Sequence, residues 1–346
     1  MEELKKKPRK RRKKKKGSIR WGRVFLALLI LCLLIGGISY GIMKGYEYFT
    51  TGGANSSNVA APVETTTADK PKGITIPLEQ KSLDKPIYVL VIGRDSSNPA
   101  QGDATFLMSI NKQQKNIDII GIPSNTKIDS RDKKSTAMLN TIYSTGGIEL
   151  TKAVVEDIFH IPIPYYVVVD EAAFKKSIDV MGVPDMYVEK EMVHIDSTTN
   201  TADVNLARGF QTLDSDKAYQ YVRFVDEDSN AFSRTQRQER LIKEMISMQE
   251  NKFALTRMWE TWRLWSSFDS NISTTDMLRL VMDMGNLPTS QIHYYILPGT
   301  KETIGGQIYW TYDPTEAQQL VGITMGNAPA DGTPAPADST NQAKEG

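Results

Sequence analysis

The middle of the chain alternates short apolar runs with longer amphipathic stretches. Helical spacing of apolar residues marks two stretches, the run from Arg234 to Met248 and the segment GIELTKAVVEDIFHI, whose shared face consists of Ile148, Val155, Ile158 and Phe159. Five short runs bounded by turn-forming residues are typical of buried strands. They are IYVLVI (87–92), ATFLMSI (104–110), IDIIGI (117–122), YYVVVD (165–170) and HYYIL (293–297). This alternation predicts an α/β domain in which helices cover both faces of a central mixed sheet.

The N-terminal region has a different pattern, with a block of cations ahead of a long apolar segment. Lys5 to Lys16 is basic except for Pro8, and the twenty residues 24–43 are uncharged and mostly apolar. A helix of that length is about 30 Å long, which matches the hydrocarbon core of a bilayer. We therefore expect one transmembrane helix in a single-pass protein of the cell membrane. The basic residues 1–23 stay cytoplasmic by the positive-inside rule, so the main domain lies outside the cytoplasm.

A cleaved signal peptide is the alternative interpretation of this segment. Its apolar region is usually about 7–15 residues long and ends at a small-residue cleavage site. The segment here is longer, and Tyr40, Ile42 and Met43 stand where that site would have small side chains. An uncleaved anchor is therefore the favoured interpretation.

Composition divides the remainder of the chain. Residues 44–83 are rich in Thr, Ser, Ala and Pro, which predicts a flexible extracytoplasmic linker, and residues 327–346 have the character of a disordered tail. The segment 84–326 between them is the predicted folded domain. Residues 1–23 carry thirteen Lys and Arg and two Glu, a net charge of +11, so the total of +1 leaves −10 for the rest. A basic tail this short does not fold as a nucleic-acid-binding domain, so we expect no nucleic acid partner.

Cysteine and histidine offer little chemistry. The single Cys32 lies within the predicted membrane span, which excludes a thiol nucleophile and a disulfide in the external domain. His160, His194 and His293 lack the spacing of a zinc site. Any metal ion would therefore be a hard cation held by carboxylates.

The loop GRDSSNPAQGD joins the first two predicted strands and carries two aspartates. Asp95 follows one strand and Asp103 precedes the next, so a hairpin would bring both carboxylates to the same end of the sheet. Two neighbouring carboxylates repel each other unless a cation lies between them, and oxygen ligands of this kind suit Mg²⁺. We therefore predict a Mg²⁺ site at Asp95 and Asp103. Ordinary turn formation by Asp in a loop of Gly, Ser and Asn is the alternative.

A cluster of cations occurs in YVRFVDEDSNAFSRTQRQERLIKEM. Arg223 is predicted to lie in a strand, YVRF, and a helix follows whose core-facing stripe would consist of Arg234, Arg237, Gln238, Leu241 and Met245. Cations in the first turn of a helix oppose its dipole, but a bound anion such as phosphate makes that arrangement favourable. A phosphate site is one interpretation. Ordinary ion pairs are the equally weighted alternative, with partners in the preceding Asp226, Glu227 and Asp228.

The run MWETWRLW has tryptophans at every third position, Trp259, Trp262 and Trp265. Aromatic residues at this spacing more often mark a packed helix face than a ligand cage, so we predict a packed face. A lipid-binding groove is the alternative.

Taken in order, these motifs resemble the LytR–CpsA–Psr family of envelope proteins. The resemblance covers about residues 85–245 and rests on IYVLVIGRDSS, DATFLMSINKQQKNIDIIGIPSNT, MLNTIYSTGGIELTKAVVEDIFHIPIPYYVVVD, LARGFQTLDSDKAYQYVRF and FSRTQRQERLI. It implies an α/β/α domain that binds a polyprenyl-diphosphate-linked glycan with Mg²⁺. It also implies transfer of the phosphate-linked polymer to peptidoglycan or a related wall acceptor.

The resemblance implies roles for individual residues. Asp95 and Asp103 match the family's acidic metal and base positions. The arginines that bind the diphosphate are matched by Arg223, Arg234 and Arg237. We expect catalysis to depend on Asp95, Asp103, Arg223 and Arg234, and we assign Arg237 and its helix neighbour Gln238 to substrate binding.

The chain departs from the family pattern at four positions. Where the family usually reads I-P-R-D-T, residues 122–126 are Ile-Pro-Ser-Asn-Thr, so Ser124 and Asn125 replace a charged pair. Val225 replaces a common second arginine and Ala231 an aspartate. Loss of one charge contact to a transferring phosphate costs about 10²–10³ in rate. Two hypotheses follow: a weakened or retuned glycopolymer phosphotransferase, and a non-catalytic protein that binds lipid-linked glycan or scaffolds envelope assembly.

Overall fold

The computed structural model describes residues 86–96, 100–130, 135–196, 201–226 and 231–324. All of these residues belong to one compact unit of the chain. The predicted basic tail, membrane anchor, linker and C-terminal tail lie outside them. Among the helices that the structure does describe, none is long and apolar enough to cross a membrane.

A mixed six-stranded sheet forms the centre of the fold. β1 (Ile87–Arg94) pairs antiparallel with β2 (Gly102–Asn111) and parallel with β6 (Tyr165–Val169). β3 (Asn116–Ile122) pairs antiparallel with β2 and parallel with β12 (Ile292–Ile296), while β11 (Asp269–Ser270) borders β6. The strand order is β11-β6-β1-β2-β3-β12. The five apolar runs identified in the sequence are therefore confirmed as strands of one mixed sheet.

Four two-stranded sheets complete the β-structure of the described residues. They pair β4 (Lys127–Asp129) with β5 (Thr136–Met138), β7 (Asp185–Val188) with β10 (Gly209–Thr212), β8 (Met192–Asp196) with β9 (Thr201–Leu206), and β13 (Gly299–Ile304) with β14 (Gln307–Tyr312).

Seven α-helices and one short 3₁₀ helix, Thr289–Gln291, lie within the described ranges. The α-helices are α1 (Leu139–Phe159), α2 (Glu171–Met181), α3 (Ser215–Arg223), α4 (Ala231–Glu250), α5 (Ala254–Trp265), α6 (Thr274–Met284) and α7 (Pro314–Thr324). The two helices expected from apolar spacing correspond to α1 and α4.

Helices pack on both faces of the central sheet, as the sequence predicts. Successive side chains of a strand point to opposite faces, so β1 contributes to two cores. On one face Leu90 packs with Phe159 of α1 and Leu320 of α7. On the other face Val89 packs with Trp265 of α5 and Leu280 of α6.

The predicted face of α1 is confirmed. Val155, Ile158 and Phe159 are buried in the core below the sheet, and Ile148 packs against that core.

A third core is formed by α2, α3, α4 and the two-stranded sheets β7–β10 and β8–β9. Ile178 of α2, Tyr221 of α3 and Leu241 of α4 meet Met186 of β7 and Leu206 of β9 there. One side of helix α4 therefore contacts the central sheet, and another side contributes Leu241 to this third core.

Helix α4 approaches the sheet closely at Gly121 of β3. A Cβ atom at Gly121 would lie 2.7 Å from Cγ2 of Thr235 and 3.3 Å from Cε1 of Phe106. Real Cβ contacts do not reach the shorter distance, so only glycine allows α4 to lie this near the strand. Because Arg234 directly precedes Thr235, this contact also fixes the position of the arginine.

We expect Gly121→Ala to destabilise the domain by about 1–3 kcal/mol, because the added methyl group must push α4 away from β3. Gly322→Ala in α7 is the matched control, since a Cβ there meets nothing within 4 Å. Thermal unfolding of both full-length variants in detergent measures the difference. Equal midpoints would contradict the close contact.

Candidate functional site

A cavity of about 220 Å³ lies between the central sheet and helices α2, α3 and α4. Apolar side chains from the strands and helices form much of its wall, among them Val91, Phe106, Val169, Phe174, Leu241 and Ile242. Charged side chains gather where the strands end, among them Arg94, Asp95, Asp103, Asp170, Arg223 and Arg234. The cavity therefore joins an apolar wall to a cluster of charges.

The two aspartates of the first loop lie in this cavity together. β1 and β2 form the predicted hairpin, in which Arg94 is opposite Gly102, so Asp95 and Asp103 emerge at the same end of the sheet. Asp95 also closes the loop, because its Oδ1 accepts a hydrogen bond of 2.6 Å from the backbone N–H of Gln101. Asp95 therefore stabilises the loop, as the turn-forming alternative expects, and it also lines the cavity.

Arg234, in the first turn of α4, contacts both Asp103 and Ser124, the second residue after the end of β3. Its Nη2 lies 3.4 Å from Oδ1 of Asp103 and donates a hydrogen bond of 2.5 Å to Oγ of Ser124. One turn later, Nε2 of Gln238 lies 3.4 Å from the carbonyl oxygen of Asp103 and 3.3 Å from that of Val222. The core-facing stripe predicted for this helix is confirmed, and it brings Arg234 and Gln238 to the cavity.

Arg237 lies on the same buried stripe but is directed away from the cavity lining. Its guanidinium, only 2 % exposed, donates to Oδ2 of Asp226 at 3.2 Å, to the carbonyl of Phe224 at 2.6 Å and to Glu189 at 3.4 Å. Burial lowers the pKa of Arg237, although the carboxylate of Glu189 opposes this effect. For this arginine the ion-pair alternative describes the observed contacts.

The strand predicted for YVRF is wrong, because Arg223 ends helix α3. The side chain of Asp214 caps this helix by accepting a hydrogen bond from the N–H of Lys217. Aromatic and β-branched residues suggested a strand, but Tyr221 and Val222 are buried as part of a helix face. The Arg223 guanidinium lies 5.1 Å from the ring centre of Tyr219, and both residues line the cavity.

Several cavity residues were missed by sequence reasoning. Arg94 forms an ion pair of 3.2 Å with Asp170, whose other oxygen caps helix α2 through the N–H of Ala173. Burial raises the pKa of Tyr219 to about 12. For Arg94 and Asp170 the available sequence signal was their position at or just after the ends of the strand runs IYVLVI and YYVVVD, because residues at the ends of adjacent parallel strands meet at one sheet edge.

The carboxylates provide a limited donor set for a metal ion. Within the described ranges, no group of three or more His, Cys, Asp or Glu side chains could hold one. Mg²⁺ is commonly bound by one or two carboxylates together with substrate phosphates and water. Asp95 and Asp103 therefore fit Mg²⁺ only as a partial site, which a phosphate ligand and water would have to complete.

A second cavity of about 330 Å³ adjoins the first, with Arg234 lining both. All four positions at which the sequence departs from the family pattern line this second cavity: Ser124, Asn125, Val225 and Ala231. Uncharged side chains therefore occupy the positions beside Arg234 where the family pattern places charged ones. Oδ1 of Asn125 is buried and has no hydrogen-bond partner.

A mixed sheet between helical layers, with an amphiphilic cavity at its strand ends, defines an α/β/α domain of the kind expected from the motifs. The chain belongs to the LytR_cpsA_psr family, whose sequence profile matches residues 49–324. It is 25% identical over 316 residues to the polyisoprenyl-teichoic acid–peptidoglycan teichoic acid transferase TagU of Bacillus subtilis (strain 168). That match covers 90% of this chain and 95% of the relative.

Solved structures agree with the fold. B. subtilis TagV superposes with a TM-score of 0.60 at 21% identity, covering 71% of this chain and 99% of that one. A structure of TagT bound to LIIa-WTA gives a TM-score of 0.56 at 21% identity, covering 72% and 94%. The family resemblance and the α/β fold are thereby confirmed.

We expect Arg237→Leu to lower the free energy of unfolding by about 3–5 kcal/mol, because it removes the fully buried cation that contacts Asp226 and Glu189. Lys190, another cation in contact with Asp226, is half exposed and does not replace the buried contacts of Arg237. Arg240→Leu is the control: Arg240 also contacts Glu189, at 3.4 Å, but its side chain is half exposed. Exposed pairs contribute about 0–1 kcal/mol. Denaturant unfolding of the two variants distinguishes them, and a loss for Arg237→Leu no larger than that for Arg240→Leu would contradict the structural role.

Proposed function

We propose that the protein transfers a phosphate-linked glycopolymer from a polyprenyl-diphosphate carrier to peptidoglycan or a related cell-wall acceptor. The observation that carries this proposal is the amphiphilic cavity, in which an apolar wall adjoins a cluster of carboxylates and arginines. A polyprenyl diphosphate has the complementary composition, an isoprenoid chain joined to a charged head. The name of the similar TagU protein describes transfer from a polyisoprenyl-linked polymer to peptidoglycan.

The charged residues suit phosphoryl transfer, which depends mainly on positioning and on neutralising charge. Arg223 and Arg234 would hold the diphosphate oxygens, and Asp95 and Asp103 would hold Mg²⁺. When bound, Mg²⁺ would neutralise charge on the diphosphate. The side-chain amide of Gln238 donates to the backbone carbonyl oxygen of Asp103 and so helps to hold that residue in position.

The reaction forms one phosphorus–oxygen bond and breaks another. A hydroxyl of the wall acceptor attacks the phosphorus attached to the glycan, and the bond to the bridging oxygen breaks, which releases polyprenyl monophosphate. One of the two cavity carboxylates, Asp95 or Asp103, accepts the proton of the attacking hydroxyl.

The proposed setting is the outer face of the cell membrane. The apolar segment 24–43 would anchor the chain, with residues 1–23 in the cytoplasm and the domain outside. Both substrates fit this setting, because one is a membrane lipid and the other belongs to the cell wall.

Asp95→Ala and Asp103→Ala should each weaken Mg²⁺-dependent binding of a polyprenyl diphosphate by about tenfold or more, because each removes a carboxylate ligand. Isothermal titration calorimetry with and without Mg²⁺ measures the effect. Asp179→Ala, an exposed change on α2, is the control. If both cavity variants bind as the wild type does in Mg²⁺, the metal assignment is wrong.

Non-catalytic binding of lipid-linked glycan is the second candidate function, favoured by the four uncharged positions around the second cavity. A substitution at Ser124 can distinguish transfer from non-catalytic binding, because Ser124 is buried and accepts a hydrogen bond from Arg234. The adjoining cavity of about 330 Å³ leaves space for a larger side chain at this position.

Ser124→Arg combined with Asn125→Asp should raise the transfer rate by about tenfold or more, because it adds a charge-assisted contact to the diphosphate. The assay uses a synthetic polyprenyl-diphosphate glycan, a peptidoglycan acceptor and Mg²⁺. Ser124→Gln adds bulk without charge and serves as the control. If wild type and double variant bind the lipid but neither transfers the polymer, the binding function replaces the enzymatic one.

A further inference from the structure

Helix α5 carries an exposed apolar stripe that no described element covers. Leu255, Trp259 and Trp262 follow the i, i+4, i+7 spacing of one helix face and are 79%, 51% and 61% exposed. Phe253, immediately before the helix, is 84% exposed. The packed face predicted for the three tryptophans is therefore wrong for Trp259 and Trp262, and Trp265 alone among them is buried.

The composition of the stripe suits the boundary between lipid and water. Tryptophan has a large apolar body and a polar N–H, and it is enriched where membranes meet water. A contiguous group of large exposed apolar side chains on one domain usually marks an interaction surface. We propose that this face of α5 docks on the surface of the lipid bilayer.

The charges of α5 support a lipid partner. The helix has one acidic residue, Glu260, which is only 6% exposed and accepts a hydrogen bond of 2.7 Å from Lys252. Arg263 is exposed, and its guanidinium carbon lies 5.2 Å from the ring centre of Trp259. An apolar stripe with a cation and no exposed carboxylate suits an anionic membrane, although the chain beyond residue 23 has a net charge of −10.

The first residue of β1, Ile87, packs on the same side of the sheet as α5. The described chain begins at residue 86, and Ile87 packs against the core that contains Trp265 of α5. Forty-three residues, 44–86, separate the predicted anchor from β1. A flexible chain of that length has a root-mean-square span of about 35 Å. With the anchor and linker that the sequence predicts, the domain would have a high local concentration near the bilayer, so a weak surface contact would be sufficient for docking.

Docking of α5 would orient the cavity relative to the membrane. Lys176 of α2 donates a hydrogen bond of 2.5 Å to Ser267, just after α5, and α2 supplies Phe174 to the cavity wall. The stripe and the cavity are thus connected through two packed helices. The inference concerns the surface of the domain and does not depend on the transfer reaction.

Fluorescence quenching by lipid tests the proposal on the full-length chain. A fluorophore is attached at Ser266→Cys, an exposed position at the end of α5, in a Cys32→Ser background. Thr303→Cys, exposed on the hairpin that precedes α7, provides the control label. The protein is reconstituted in vesicles of phosphatidylcholine and phosphatidylglycerol that contain lipid with a spin label at the headgroup.

We expect quenching at position 266 to exceed that at 303 several-fold, and to fall to the control level in the double variant Trp259→Gln, Trp262→Gln. Phe210→Gln, which removes an exposed aromatic residue from β10, should leave the quenching unchanged. Equal quenching at positions 266 and 303 in the unaltered stripe overturns the proposal. Protection of position 266 from aqueous iodide without lipid quenching also overturns it, because a second copy or another protein would then cover the face.

Discussion

The contact between α4 and the central sheet determines the geometry of the site. Thr235 rests against Gly121 of β3, and this close approach sets both the depth and the rotation of the helix. With the rotation fixed, Arg234 reaches Asp103 and Ser124, while Arg237 points toward Asp226 in a different part of the fold. One helix therefore supplies a cavity cation from one position and a structural ion pair from a position three residues later.

Periodicity in the sequence was sufficient for five strands of the central sheet, for helices α1 and α4, and for part of the site. The strand runs and the core-facing stripe of α4 follow from apolar spacing, and the Asp95–Asp103 hairpin follows from loop length. Arg223 was placed in a strand because composition outweighed the helix cap at Asp214. For the tryptophans, a step of three residues turns a helix about 60° short of a full rotation. Trp259 and Trp262 consequently face outward, and only Trp265 reaches the core. For Arg237, the sequence named Asp226 as one possible ion-pair partner, and the structure shows that contact. Its other partner, Glu189, could not be identified from sequence because it enters from a distant segment.

The two adjoining cavities separate the charged residues that match the family motifs from the four positions at which the chain departs from them. The first cavity keeps the acidic and basic residues that match the family motifs. The second collects the four departures, so the differences are concentrated in one place and share a boundary, Arg234, with the first. Because Ser124 accepts a hydrogen bond from Arg234, the loss of charge at that position leaves the remaining arginine with a neutral partner. The four departures thus lie in the surroundings of Arg234, and none of them lines the apolar wall of the first cavity.

The two kinds of pairing made by β1 also bear on the order in which the domain folds. β1, β2 and β3 form an antiparallel meander whose contacts are local in sequence, whereas β1 pairs with β6, and β3 with β12, only after long crossovers. Local contacts close with a smaller loss of chain entropy and form faster. The hairpin that holds Asp95 and Asp103 belongs to the local part, while Asp170 and Arg234 arrive through distant segments. Asp95, Asp103 and Arg94 are therefore available to assemble before Arg234, the cation that contacts Asp103.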